Sequence, residues 1–251
     1  NYIGSIKREA MIQERHKIEQ AVHAVCSREG MNITRVPGEH AGGKWSLRYE
    51  SSISQGGNLE VDLNFMFRLP LWPVTLMNAS VGNYSASKIP VLDIHELAAG
   101  KFAALLARHA SRDLFDAHHI LTKTKLETDK IRLGFVLYGA MNRKDWRKVS
   151  VDDIDYERSE LENLLMPVVR RKFIENSLPA NWALNMISEC KDLMNIVLPL
   201  SDKETAFLDA ILDHGEIKPH FLTEDTEMAE KILNHPLLQW KALNVREHIG
   251  K

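Results

Sequence analysis

The sequence predicts an α+β fold in two parts: a small antiparallel sheet with one helix over residues 1–90, and a mostly helical domain over residues 91–251. Three observations carry this expectation. Leu59, Val61, Leu63 and Phe65 alternate with Glu60, Asp62 and Asn64, the period-two pattern of a strand with one apolar and one polar face. After Leu121 the apolar spacing is helical nearly throughout. Pro90 stands between the two patterns, immediately before the most strongly helical stretch.

The elements follow in order. Residues 5–29 read as a helix, with Ile6, Ile12, Ile18, Val22 and Val25 at near-helical spacing and Gly30 as its stop. Asn32 to Val36 predicts a short strand. Gly42-Gly43 marks a turn, and Lys44 to Ser51 alternates through Trp45, Leu47 and Tyr49. Gly56-Gly57 is the next turn, so this strand and the one through Val61 form an antiparallel hairpin. Pro70, Trp72 and Pro73 make a loop, and Val74 to Tyr84 reads as irregular or a strand. Helices are expected over Leu92–Arg108, from Arg112 onward, and over Lys130–Tyr138, Glu157–Phe173, Pro179–Ile196, Asp202–Leu212 and Thr223–Leu233. Ser201-Asp202-Lys203-Glu204 offers a capping box, and Gly215 a C-terminal stop.

Composition narrows the function. A chain of 251 residues carrying 44% hydrophobic and 26% charged residues is an ordinary globular composition. No apolar run approaches the ~18 residues that span a bilayer, so no membrane partner is expected. Cys26 and Cys190 match no metal spacing and fit the reduced thiols of a cytoplasmic protein. A net charge of −2 argues against binding nucleic acid through overall charge, and leaves room for a local basic groove.

The chemistry concentrates between Leu92 and Asp116. Lys101 shares a helical stripe with Leu97, Leu105 and Arg108. A cation on a packing face calls for a partner, because burying it alone is costly. Asp113 and Asp116, at i, i+3 spacing, face the same way and supply carboxylates. One cation and two carboxylates suit either a phosphate-bearing ligand with its metal or an ion-pair hub joining two helices. Arg108 and Arg112 suit phosphate binding or the pinning of Asp113, and Asp113 also fits a helix N-terminus through the dipole alone. His118-His119 point different ways on a helix and build no metal site by themselves, and His95-Glu96 lacks a second His four residues on. Two basic clusters stand apart: Arg143-Lys144-Asp145-Trp146-Arg147-Lys148, built around an aromatic ring, and Arg170-Arg171-Lys172. Each is either a solvated face or part of an RNA groove.

The run from Lys101 to Asp116 resembles the K-x-x-A-L-x-x-R-x-x-x-R-D-x-x-D signature of the AbiEii/AbiGii-type nucleotidyltransferase toxin family, the toxins of type IV toxin–antitoxin and abortive-infection systems. Asn1-Tyr2-Ile3-Gly4, Val61-Asp62-Leu63-Asn64-Phe65 and Trp240-Lys241-Ala242-Leu243-Asn244-Val245-Arg246 are similar to the same family, more weakly. The resemblance implies a polymerase-β-like nucleotidyltransferase sheet backed by helices, Mg²⁺, an NTP, an RNA acceptor such as tRNA, and a cognate antitoxin. By the same resemblance Lys101 contacts nucleotide phosphates, and Asp113 orients it or acts on the substrate, with Asp116 one turn later. Arg108 and Arg112 assist in binding. Asp62 is the third metal carboxylate or the general base, in preference to Glu60. Arg143, Lys144, Arg147, Arg170 and Arg171 are the candidates for an RNA groove. The family's Asp-x-Asp is missing: Gly4-Ser5 leads into a helix-like segment instead. The sheet is therefore expected to be N-terminally incomplete, with two metal carboxylates upstream of Asn1, and these 251 residues are expected to be inactive by themselves. The alternative is a non-catalytic module that binds protein or nucleic acid.

Overall fold

The computed structural model describes residues 2–38, 42–53, 55–174 and 178–250, so Asn1 lies outside the described residues. The chain divides into two compact units, Asn1–Pro70 with Asn234–Trp240, and Leu71–Leu233 with Lys241–Lys251. The mixed α and β content agrees with the α+β expectation.

In the first unit, α1 (Arg8–Arg28) precedes three strands, β1 (Asn32–Arg35), β2 (Gly42–Tyr49) and β3 (Gly57–Asn64), paired antiparallel in the order β1-β2-β3. The register sets Trp45 opposite Val61 and Lys44 opposite Asp62, so apolar and polar residues go to opposite faces. Trp45 and Leu47 form a core with Cys26, against which Val22, Met31, Ile33, Val61 and Leu63 pack. The buried residues of α1 are Met11, Arg15 and Cys26, whereas Val25 is exposed, so the packing face is turned slightly from the one the isoleucine spacing suggests. The opening segment joins this unit through the Tyr2 N–H, which donates to the Asn64 carbonyl at 2.9 Å. The Arg68 guanidinium adds hydrogen bonds to the carbonyls of Ser5 (3.0 Å), Ile6 (2.9 Å) and Phe65 (3.0 Å).

The second unit opens with a hairpin, β4 (Thr75–Val81) and β5 (Tyr84–Val91), of which the sequence reading anticipates only the first strand. Val81 pairs with Tyr84 across a two-residue loop, and Gly82 takes φ 58° there, a value that costs glycine little. The helices are α2 (Ile94–Arg108), α3 (Ser111–Lys123), α4 (Thr128–Ala140), the short α5 (Arg158–Glu160), α6 (Pro179–Leu193), α7 (Asp202–His214), α8 (Thr226–Leu233) and the part of α9 (Pro236–Ile249) from Lys241 on. Phe102 and Leu106 from α2, Leu114 from α3, and Ile131 and Phe135 from α4 are buried in its core. The expected helix over Glu157–Phe173 is not continuous. It runs through α5 into a π-turn at Leu161–Leu165 and re-forms only as a 3-10 turn at Arg171–Phe173. Pro167 explains the break, since it lacks an N–H and disfavours helical geometry in the residue before it. Ser201 and Glu204 make the expected capping box, and Gly215 ends α7 in the left-handed region. No helix among the described residues is long and apolar enough to cross a membrane.

Candidate functional site

Asp93 caps α2, its carboxylate accepting the His95 N–H at 2.8 Å. The same Oδ1 lies 2.7 Å from His95 Nδ1, while His95 Nε2 accepts the Glu127 N–H at 2.9 Å. The ring proton therefore sits on Nδ1 and is donated to Asp93. His95 thus holds the start of α2 to the approach to α4.

Glu96, next to His95 on α2, is a buried carboxylate whose burial sequence reasoning does not anticipate. It accepts the Leu71 N–H at 3.0 Å and the Tyr138 hydroxyl at 3.1 Å. Burial pushes its carboxyl up to about 7, against the opposing pull of the Leu71, Tyr138 and Trp72 hydrogen bonds. Burial, with the Glu96 charge beside it, also pushes the Tyr138 hydroxyl up. The signal was present in the sequence: Glu96, Ala99, Ala103 and Leu106 share one helical stripe, and the other three are core residues. In the unfolded chain a glutamate titrates near 4.3, so between that value and about 7 the folded state binds the extra proton. Stability from this group is therefore full at low pH and is lost as pH rises through 7. Urea unfolding at pH 5 and pH 8 should show Glu96→Gln losing less stability over that interval than the wild type, by about 3 kcal/mol. Equal losses would mean that Glu96 stays ionised when folded. His235, in the first unit, works the other way. Burial, with the Arg68 charge added, lowers its pKa to about 4, so it contributes stability above the usual histidine range that is lost on acidification.

The corner between α2 and α3 consists of His109, in the left-handed region at φ 56°, and Ala110. It is pinned from outside: the Glu157 N–H donates to the His109 carbonyl at 2.9 Å, and the Ser111 hydroxyl to the Glu157 carbonyl at 2.8 Å. This corner brings the two helices' charges together in two separate pairs. Lys101 Nζ lies 2.6 Å from Asp116 Oδ2, with the two side chains 44% and 38% exposed. Arg108 holds Asp113 in a fork, Nε to Oδ2 at 3.1 Å and the second nitrogen to Oδ1 at 3.0 Å. Here the Asp113 side chain is 1% exposed and that of Arg108 55%. The expectation that Asp113 orients Lys101 is corrected: Lys101 meets Asp116, and Asp113 belongs to Arg108. Arg112 is exposed, with no ion-pair partner among the described residues.

Asp62 lies in the first unit, on the polar face of β3 and exposed. Lys44, directly opposite, reaches diagonally to Glu60 at 2.7 Å, which leaves Asp62 with no ion-pair partner among the described residues. No group of three acidic, His or Cys side chains that could hold a metal ion occurs among them. Asp62 is one carboxylate and not a metal site, so the described residues do not fit Mg²⁺ by themselves.

The first basic cluster is largely neutralised within the fold. Lys144 lies 2.6 Å from Asp153, and Arg147 bonds Asp145 (2.9 Å), Asp209 (2.9 Å) and Asp213 (2.6 Å). Trp146 is fully buried against Phe135, and a Cβ at Gly139 would lie only 2.0 Å from its Nε1. No RNA base can stack on that ring, and Arg143 and Lys148 remain as the exposed cations of the cluster. Arg170, Arg171 and Lys172 are exposed in and beside the 3-10 turn after Pro167. The tail residues are structural within the second unit: Lys241 donates to the Asn142 carbonyl at 2.8 Å and Arg246 to that of Gly215 at 2.6 Å. His118 and His119 go separate ways, His118 Nε2 lying 2.7 Å from Glu189 Oε2 and His119 stacking on Phe115.

The family described as "Nucleotidyl transferase AbiEii toxin, Type IV TA system" matches residues 4–196. Among solved structures the chain is similar to MenT4, a nucleotidyltransferase toxin from Mycobacterium tuberculosis H37Rv, at 14% identity and a TM-score of 0.48, over 83% of this chain and 67% of that one. No curated protein matches.

Proposed function

Because the chain belongs to the AbiEii nucleotidyl transferase toxin family of type IV toxin–antitoxin systems, we propose that it transfers a nucleotide from an NTP to the acceptor end of an RNA, tRNA first among the candidates, and that a cognate antitoxin neutralises it. The observation that carries this reading is the state of Lys101. Its ammonium is nearly half exposed and held by a single, equally accessible carboxylate. An exposed pair of this kind is worth only about 0–1 kcal/mol, so a polyphosphate can take over the cation at little cost. Arg112, one turn before Asp116 on α3 and without an ion-pair partner among the described residues, adds a second cation on that side. Arg108 and Asp113 hold the corner in place. No step is routed through a metal, since the described residues do not build its site. Arg143, Arg170 and Arg171 are the exposed cations left to meet RNA phosphates.

The test is label transfer. The full-length protein, incubated with each α-labelled NTP in turn, divalent metal and total tRNA, should move label from at least one NTP into the RNA. Periodate treatment, which destroys a terminal cis-diol, should block that transfer if the 3′ end is the acceptor. No transfer from any of the four NTPs would reject the reading in favour of a binding module.

A further inference from the structure

We propose that the aromatic cavity between α3, α6 and the Arg171–Phe173 turn receives the nucleobase of a nucleotide whose phosphates meet Lys101 and Arg112. This rests on the proposed function for the kind of ligand, and the cavity adds where its base goes. Its volume is about 340 Å³. Phe115 and His119 lie nearly parallel, 18° between planes with centroids 6.3 Å apart. Phe173 stands edge-on to both, at 5.7 and 6.2 Å, and Trp182 closes the base of the cluster 5.9 Å from Phe115. Four rings packed for the core alone would be sealed, but His119 is exposed and Phe115 and Phe173 are only half-buried. Rings offered to an opening in this way are the platform on which a base stacks, whatever its identity.

The rim is cationic. Lys172 Nζ sits 5.2 Å from the Phe173 centroid, with Arg170 and Arg171 exposed just before it. Position along α3 connects the cavity to Lys101. Arg112, Asp116 and His119 follow at steps of four and three, so they share one stripe, with Phe115 beside it. Asp116, the partner of Lys101, is thus one turn from the stacking ring of His119, and Arg112 is one turn from Phe115. A nucleotide laid along this stripe puts its base among the rings and its phosphates at the cations. His118 and Glu189, which line the cavity and pair with each other at 2.7 Å, keep a second ring nitrogen and a second carboxylate oxygen for the base's own donors and acceptors.

The experiment is equilibrium binding by the full chain, with three probes: NTPs, inorganic tripolyphosphate, and a short single-stranded RNA. The wild type should bind a probe with bases more tightly than tripolyphosphate. His119→Ala, at an exposed position, and Phe173→Leu as a second variant, should weaken binding of a base-bearing probe by about 5- to 150-fold and leave tripolyphosphate unchanged. A loss seen with free NTP identifies the incoming nucleotide as the source of the base. A loss confined to the oligonucleotide identifies the acceptor RNA. Wild-type binding indifferent to the base, variants that bind all three probes like the wild type, or an equal loss for tripolyphosphate would each overturn the proposal. Failure of the proposed function is read separately, in the absence of label transfer.

Discussion

In the full-length protein, Lys101→Ala is expected to lower nucleotide transfer by about 10²–10³-fold, the usual cost of removing one preorganised charge contact from a reacting group, while leaving the fold intact. The two halves of this expectation come from the same numbers. The Lys101–Asp116 pair is roughly two-fifths exposed on each side, so its loss should cost at most about 1 kcal/mol, a few degrees in melting temperature for a chain of this size. Asp116, left behind, can be hydrated where it stands. Transfer rate and thermal melting of the same preparation decide the matter. A strong fall in melting temperature with transfer preserved would make Lys101 a strut between α2 and α3, and would remove it from phosphate binding.

Arg108→Ala is expected to be the most damaging substitution for stability at this corner. It leaves the Asp113 carboxylate, 1% exposed, without its cation. Breaking a buried pair from one side costs about 3–5 kcal/mol. The N-terminus of α3, where Asp113 sits in the first turn, recovers up to about 2 kcal/mol of that. Asp113→Asn should cost less, about 1.5–3 kcal/mol, the range for a hydrogen bond to a charged group, because the guanidinium it abandons is half exposed and returns to water. Urea unfolding of both variants at pH 7 measures this ordering. If Asp113→Asn is the costlier change, the buried charge is not what Arg108 is there to hold.

What the sequence makes legible here is what depends on periodicity and on local caps. The β2–β3 hairpin follows from strict alternation, and the ends of α7 follow from Ser201, Glu204 and Gly215, because each of these signals is complete within a few residues. The choice of Asp116 over Asp113 as the partner of Lys101 is not of that kind. Residues three apart on a helix face nearly the same way, and only the angle at His109 and Ala110 decides which one reaches Lys101 and which one Arg108. Trp146 is illegible for a similar reason. A ring among five charges reads as a surface platform until Gly139, seven residues earlier, is seen to leave the space it fills. The break at Pro167 and strand β5 were legible and were passed over, the first through a helix-stopping residue, the second through the Gly82-Asn83 turn.

The pinned corner makes length itself part of the site. Arg108 finds Asp113 five residues on, and Lys101 finds Asp116 fifteen residues on, across the same bend. One residue added within the first turn of α3, between Asp113 and Asp116, would leave the shorter pair alone and swing everything beyond it by about 100°. Asp116 would leave Lys101, and the rings of Phe115 and His119 would rotate with it. The two pairs thus act as coarse and fine marks of one ruler, satisfied together at a single setting. The count from Lys101 to Asp116 therefore cannot change without dismantling the arrangement.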